Sequence, residues 1–198
     1  ASMRLNNAIK LAIEKKKITE FHQVDPQQQY ISTDTSHIEI YTGLTEDMSS
    51  IIDSMKVLNP KEVTLHTGGA EQSDMIFEQL GEKYGLKEIN AYSFKGHKTK
   101  SKHVKKVSLT RLRAADKFLE KANETLGRTF PTKTPSTNNL LRRNAMQVNN
   151  ADAIYAVGNI LRTGTEQKLS NIVEGGTGWA VQMAIDANKP VHVFDQID

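Results

Sequence analysis

Short β-branched segments alternate along the chain with longer segments in which apolar residues recur at helical spacing. Glycine turns follow the first two strand-like segments, and a helical pattern follows each turn. Such alternation favours right-handed crossovers and parallel strands. We therefore expect an α/β fold, a Rossmann-like three-layer sandwich with a mostly parallel sheet. The predicted strands are residues 37–41, 62–66, 89–94, 153–157 and 191–194. A long polar loop is predicted after residue 157, followed by a short segment at Ile172-Val173.

The first 36 residues differ in pattern from the rest. Residues 4–17 carry Leu5, Ile9 and Ile13 at helical spacing and end in three lysines, which predicts a short amphipathic helix. Residues 20–36 are polar and predict a linker with one short extended piece near Tyr30. We expect residues 1–36 to be an N-terminal helix and linker, and residues 37–198 to be one domain.

Helices are predicted within this domain wherever apolar residues recur every three or four positions. Asn59-Pro60, Gly85 and Gly127 follow three of these patterns and are typical of helix ends. The predicted helices are residues 45–58, a helix ending before residue 85, residues 109–126, a helix through 140–148, and residues 179–187.

Composition narrows the class of protein. The chain has 198 residues, of which 37% are hydrophobic and 25% charged, so it can bury a sizeable core, and disorder or a coiled coil is disfavoured. It has no cysteine, which excludes disulfides and thiolate metal sites, and its histidines show no metal-ligand spacing. No run of about 18 apolar residues exists. We expect a cytoplasmic location, no membrane contact, no metal and no required cofactor.

Positive charge is concentrated in one segment. The net charge is +3, but residues 95–113, from Lys95 to Arg113, contain eight lysines and arginines and no acid. We expect this segment, within a basic insertion at about 95–138, to form a solvated loop that runs into a surface helix. Binding of nucleic acid or of an anionic small ligand is the functional alternative.

Three glycine turns each follow a strand and precede a helix. In a parallel sheet these turns lie at the carboxyl edge, where the N–H groups of helix N-termini bind anions. None matches a Walker A loop or a G-x-G-x-x-G fingerprint. The three turns predict a site for a phosphate-bearing, nucleotide-like ligand. Its candidate residues are Thr42, Gly43, Gly68, Gly69, Ala70, Gly175, Gly176, Thr177 and Gly178.

Several side chains near these turns could complete the site. Asp74 could accept from ribose hydroxyls or complement the dipole of its helix. Arg142 and Arg143 precede Asn144 on a predicted helix, so one arginine can reach a phosphate while the other points elsewhere. Trp179 could stack on a base or fill a gap against the sheet.

These motifs resemble those of the SLOG superfamily, the Rossmann-like group of Lonely Guy phosphoribohydrolases, DprA-type proteins, molybdenum-cofactor carrier-like proteins and YspA/YpsA-type proteins. LHTGGAEQSD is similar to the G-G-A-x-G-x-D turn of YspA-like members, with Gln72 in place of a glycine. RRNAMQVNNADAIYAV is similar to the R-N-x-x-M…A-D-A pattern of the group. The resemblance implies that Asp74, Arg143 and Asn144 belong to the ligand site.

The third glycine turn resembles the P-G-G-x-G-T-x-x-E motif of Lonely Guy enzymes. In those enzymes an arginine and the final glutamate act in hydrolysis of an N-glycosidic bond. Gln182 stands at the glutamate position here, and an amide cannot act as a carboxylate base. Glu174 and Glu71 are the candidate substitutes for a catalytic carboxylate.

Three functions follow as hypotheses. The first is sensing or sequestration of a nucleotide-derived ligand such as NAD, ADP-ribose, cyclic ADP-ribose or a nucleoside phosphate. The second is an N-glycosidic-bond hydrolase of the phosphoribohydrolase type. The third is DprA-like binding of DNA through residues 95–113. A homodimer or homotetramer is expected from the apolar helices and from the resemblance.

Overall fold

The computed structural model describes residues 29–32, 37–41 and 59–195. Within these ranges the protein is α/β. The helices are α1 (Ser73–Tyr84), α2 (Leu109–Arg113), α3 (Asp116–Leu126), α4 (Pro135–Asn150) and α5 (Gly175–Asp186), with a 3-10 turn at Pro60–Glu62. The strands are β1 (Gln29–Ser32), β2 (His37–Tyr41), β3 (Thr64–Thr67), β4 (Glu88–Ser93), β5 (Val104–Lys106), β6 (Ile154–Gly158), β7 (Ile160–Thr163), β8 (Lys168–Val173) and β9 (Val191–Asp195).

The described strands form three hydrogen-bonded groups. In the order β1-β2-β9-β6, the pairs β2-β9 and β9-β6 are parallel, and β1 is antiparallel to β2. In the order β3-β4-β5 both pairs are parallel, so β3 and β4 end at the same edge. β7 and β8 form an antiparallel hairpin. Parallel pairing joins the strands that the sequence pattern predicts.

All five predicted strands are confirmed, with ends that differ by at most two residues, and so is the extended piece near Tyr30, which is β1. Gly85 and Gly127 end α1 and α3 in the left-handed conformation, with φ of +65° and +58°. Each thus satisfies the terminal carbonyls that a helix leaves open. The helices predicted over 4–17 and 45–58 lie outside the described residues.

Three predictions about loops and helices were wrong. The basic segment, predicted to be a solvated loop before its helix, contains strand β5 paired with β4. The polar stretch after β6 is not a loop but the hairpin β7-β8. The single helix predicted over 109–126 is divided into α2 and α3, because the chain turns at Ala114 and Ala115.

The core lies where α3, α4 and α5 pack on one another and on the central strands. Each fully buried leucine or valine contributes about 1.5–3 kcal/mol to this packing. α5 is mostly apolar and is buried over most of its length, which fixes the start of the helix beside the end of β8. In the part of the chain that the structure describes, no helix is both long enough and apolar enough to cross a bilayer. Fully buried side chains include Leu112, Leu119, Val148, Val173, Val181, Val191 and Val193.

Candidate functional site

The second glycine turn begins where β3 ends and is packed against α4. A Cβ on Gly68 would lie 2.6 Å from Nη2 of Arg143, and Gly69 has a φ of +63°. Gly69 also has Thr99 Oγ1 within 2.7 Å of where its Cβ would be. Gly69 therefore requires glycine for its backbone conformation, and a side chain at Gly68 would displace the guanidinium of Arg143.

Asp74 closes this turn from inside. Its Oδ2 accepts hydrogen bonds from the backbone N–H groups of Gly68 (3.1 Å) and Ala70 (3.0 Å). The N–H of Gly69 donates to Thr67 Oγ1 at 3.3 Å. Burial raises the pKa of Asp74, and the bond from Ala70 and the charge of Arg143 oppose that rise. A carboxyl group of the chain itself thus already occupies two N–H groups of the turn, and a contact of Asp74 with ribose stays a prediction.

The adjacent arginines of α4 point in different directions, as the helix geometry predicts. Arg142 makes a bidentate ion pair with Asp116, with Nε to Oδ1 at 2.5 Å and Nη2 to Oδ2 at 2.8 Å. Arg143 is buried, and its Nη1 donates to the carbonyl of Gly68 at 2.8 Å. Its Nε–H has no hydrogen-bond partner among the described residues. Arg142 therefore ties α4 to α3, and Arg143 supplies the charge at the second turn.

His97 connects Arg143 to the end of β4. Its Nε2 lies 3.1 Å from Arg143 Nη1, and its Nδ1 lies 3.0 Å from Ser93 Oγ. A guanidinium N–H can only donate, so Nε2 accepts, and Nδ1 carries the proton and donates to Ser93. Burial first, and then the charge of Arg143, lower the pKa of His97. Both observations favour a neutral imidazole.

The third glycine turn, predicted to precede a helix over 179–187, instead forms the first turn of α5, which begins at Gly175 directly after β8 and Glu174. Arg128 holds this turn from outside. Nη1 of Arg128 donates to the carbonyl of Gly175 at 2.7 Å, and Nη2 donates to that of Val173 at 2.9 Å. A Cβ on Gly178 would overlap the carbonyl oxygen of Val173, so glycine is required there for packing. Gly175 has a φ of +67° and open space around it.

The N-cap residues of α5 and α1, Glu174 and Gln72, make no side-chain hydrogen bond to their helices, but Asp74 occupies N–H groups of the turn before α1. A Cβ on Gly176 would meet no atom within 4 Å. The first N–H groups of a helix have no partner within the helix, and its dipole favours an anion there. This N-terminus is therefore the more open of the two described turns.

A cleft of about 510 Å³ lies beside the third turn. Trp179 is only 5% exposed and packs against Phe130, with ring centroids 6.1 Å apart. Its placement therefore favours the gap-filling interpretation, and stacking on a base stays a prediction. Glu174, by contrast, is exposed at the cleft. The lining residues are Arg128, Leu161, Ile172, Glu174, Gly175 and Trp179.

Neighbouring residues of α4 join the two described turns. Arg143 donates to the carbonyl of Gly68, and the side-chain amide of Asn144 donates to the carbonyl of Gly176 at 3.1 Å. Two consecutive residues of one helix thus contact both turns. The predicted site residues Gly68, Arg143, Asn144 and Gly176 lie together.

Other candidates do not join this group. Glu71 is exposed and forms an ion pair with Lys100 at 2.7 Å. That contact lowers the pKa of Glu71, which does not favour a role as a proton donor. Gln182 is buried and donates to Asp186 at 3.0 Å, a contact within α5. Thr42 and Gly43 lie outside the described residues.

The structure adds residues that sequence reasoning missed. Arg128 was not among the candidates. Its position directly after Gly127, which ends α3, was the available sequence signal. Glu78 is buried in α1 and accepts from Thr67 Oγ1 and Ser101 Oγ, each at 2.6 Å. These partners are distant in sequence, so no local pattern indicates them.

Among the described residues, no group of three or more histidine, aspartate or glutamate side chains could hold a metal ion.

Compared with protein-family models, curated proteins and solved structures, the chain matches none. The resemblance to the SLOG superfamily therefore stays a prediction based on the motifs.

Proposed function

We propose that the protein binds a nucleotide-derived ligand through its glycine turns and thereby senses or sequesters it. The observation that carries the proposal is the pair of contacts from Arg143 to Gly68 and from Asn144 to Gly176. Two glycine turns and a buried cation at one place on a helix supply the groups that recognise a phosphate. The ligand class is NAD, ADP-ribose, cyclic ADP-ribose or a nucleoside phosphate.

The Rossmann-like arrangement of the sheet is part of the same proposal. A Rossmann-like three-layer sandwich would place the carboxyl ends of its parallel strands at one edge, where ligands of such sheets bind. The parallel pairs β3-β4 and β6-β9 support this arrangement. The second turn, directly after β3, also supports it, whereas the third follows β8 of the antiparallel hairpin.

The third turn is the proposed phosphate position. Asp74 occupies two N–H groups of the second turn, so a phosphate there would compete with a carboxylate of the chain itself. The start of α5 has no side-chain cap, and Gly176 is open. The adjoining cleft of about 510 Å³ has the size of a small-molecule site.

Binding is tested by thermal shift against nucleoside monophosphates, NAD, ADP-ribose and cyclic ADP-ribose. A ligand at 100 times its Kd adds about 2.7 kcal/mol, which raises Tm by roughly 5–10 °C. Gly176→Asp places a carboxylate at the proposed phosphate position and should abolish the shift. Gly176→Ala is the matched control and should keep it. The proposal fails if no ligand shifts Tm or if both variants respond alike.

Hydrolysis of an N-glycosidic bond is a second candidate, favoured by the exposed carboxylate of Glu174 at the cleft. Mass spectrometry of each ligand after incubation separates it from binding alone. Intact ligand supports the sensing or sequestering function. Released base, abolished by Glu174→Gln without loss of binding, would support the hydrolase instead.

A further inference from the structure

A second cleft, of about 660 Å³, lies between the end of β4, the loop 95–99 and β5. It shares no lining residue with the cleft at the third turn. None of its lining residues is acidic. The function proposed above does not use it.

The walls of this cleft are fixed by hydrogen bonds to the body of the protein. Thr99 Oγ1 donates to the carbonyl of Gly69 at 2.6 Å, and Ser101 Oγ donates to the buried Glu78 at 2.6 Å. At the other end, the N–H of Val107 donates to the carbonyl of Ser93 at 2.7 Å. The basic segment is therefore held in a defined shape, which preorganises whatever it binds.

Three lysines line the cleft and are exposed: Lys95, Lys98 and Lys106. Side chains alternate along a strand, so Lys105 faces away from Lys106, and it does not line the cleft. His97 also lines the cleft and is hydrogen-bonded to the buried Arg143. Positive charge thus surrounds the cavity with no carboxylate in its lining to neutralise it.

Apolar groups also line the cleft. The rings of Phe94 and His97 stack with centroids 5.1 Å apart. Val104 is 41% exposed at the same cleft. Apolar side chains beside lysines suit an anion attached to an organic group as well as a free anion.

We propose that this cleft binds a multivalent phosphate group, a diphosphate or triphosphate, through Lys95, Lys98 and Lys106. Three cations in one concave site match a ligand with several negative charges better than a single phosphate or carboxylate. The group can be inorganic or the tail of a nucleotide. A concave cleft of about 660 Å³ suits such a small ligand better than the extended backbone of a nucleic acid.

The test uses two double variants with the same change in charge. Lys98→Glu with Lys106→Glu alters the cleft, whereas Lys100→Glu with Lys105→Glu alters the same segment outside it. Isothermal titration of the full chain with inorganic tripolyphosphate and with ATP, without divalent cations, measures the affinities. The cleft variant should bind tripolyphosphate about tenfold or more weakly than the control variant, because charge reversal acts at short range only inside the cleft.

The two ligands distinguish the sources. In the Gly176→Asp variant, in which the proposed ligand site at α5 is blocked, equal affinity for tripolyphosphate and ATP supports recognition of the phosphate group alone. Tighter binding of ATP by that variant supports a nucleotide whose body covers Phe94 and Val104. No measurable binding of either, or equal weakening in both double variants, overturns the proposal. A short DNA duplex that binds more tightly than tripolyphosphate and loses affinity equally in both variants would point to a nucleic-acid surface instead.

The binding of tripolyphosphate at this cleft can be tested independently of the ligand site proposed at α5. Gly176→Asp should leave the affinity for tripolyphosphate unchanged, because Gly176 does not line this cleft. Melting curves of all variants verify that they fold.

Discussion

A series of hydrogen bonds holds the buried positive charge of Arg143 at the candidate site. Arg143 donates to the carbonyl of Gly68 and to His97, and His97 donates to Ser93. A buried cation needs such acceptors because losing water is costly for a charge. The cost is visible in Arg143 itself, whose pKa is lowered by burial. The neutral state of His97 is therefore part of how the guanidinium is held.

Stability should depend on the protonation of His97. Its pKa in the folded protein lies below its ordinary value of 6.5, so the unfolded chain binds the extra proton more readily. This contribution to stability is present above pH 6.5 and is lost as the pH falls through the lower, folded pKa. Urea unfolding measured from pH 7.5 to 5 should show the wild type losing stability relative to His97→Gln, whose amide oxygen can still accept from Arg143.

An NMR titration of the His97 ring provides the direct check. A midpoint below 6.5 agrees with a neutral imidazole that accepts from Arg143. A midpoint above 6.5, or an equal pH profile for the wild type and His97→Gln, contradicts it.

Sequence alone could predict that Arg142 and Arg143 diverge, because neighbouring residues of a helix point about 100° apart. It could not predict their partners. Asp116 lies 26 positions from Arg142, and Gly68 lies 75 positions from Arg143. Such contacts depend on how helices pack, which no local pattern specifies.

At the scale of elements, the third turn depends on how closely α5 approaches β8. Gly178 packs against the carbonyl of Val173, which also accepts from Arg128. Because the backbones of α5 and β8 are in direct contact there, no side chain fits at Gly178. It sets the direction in which the first N–H groups of α5 point.

Gly178→Ala should lower the free energy of unfolding by about 3 kcal/mol, because the new methyl overlaps backbone that cannot rotate away. Gly176→Ala, two positions earlier in open space, should be neutral or stabilising by up to about 1 kcal/mol, since alanine favours helix. Urea unfolding of both variants measures the difference. Equal stabilities would show that α5 and β8 are not packed in this way.

The elements that could be predicted are those whose pattern is local. β3, the glycine turn and α1 follow from a β-branched run, two glycines and helical spacing ended by Gly85. β5 was missed because its three residues are mostly lysine and become a strand only by pairing with β4. The hairpin β7-β8 was missed because its sequence is polar and its pairing is irregular near Ile160.

At the scale of the whole molecule, the positive charge of the chain is concentrated in one segment that is fixed to the body of the protein. The net charge is +3, and residues 95–113 alone carry +8, so the rest of the chain carries −5. The structure attaches this basic segment to the second glycine turn and to α1 through Thr99 and Ser101. Positive charge is thereby fixed near the turn that Arg143 also reaches. Both proposals concern anions, one at the start of α5 and the other in the cleft of this basic segment.

Mapping of backbone amides by NMR during titration with ADP-ribose tests the central claim most directly. If the ligand's phosphate binds at the start of α5, the amides of Gly176 and Thr177 and the side-chain amide of Asn144 should shift most. They should do so at ligand concentrations that also raise Tm. Saturable binding that leaves these three signals unchanged would contradict the account.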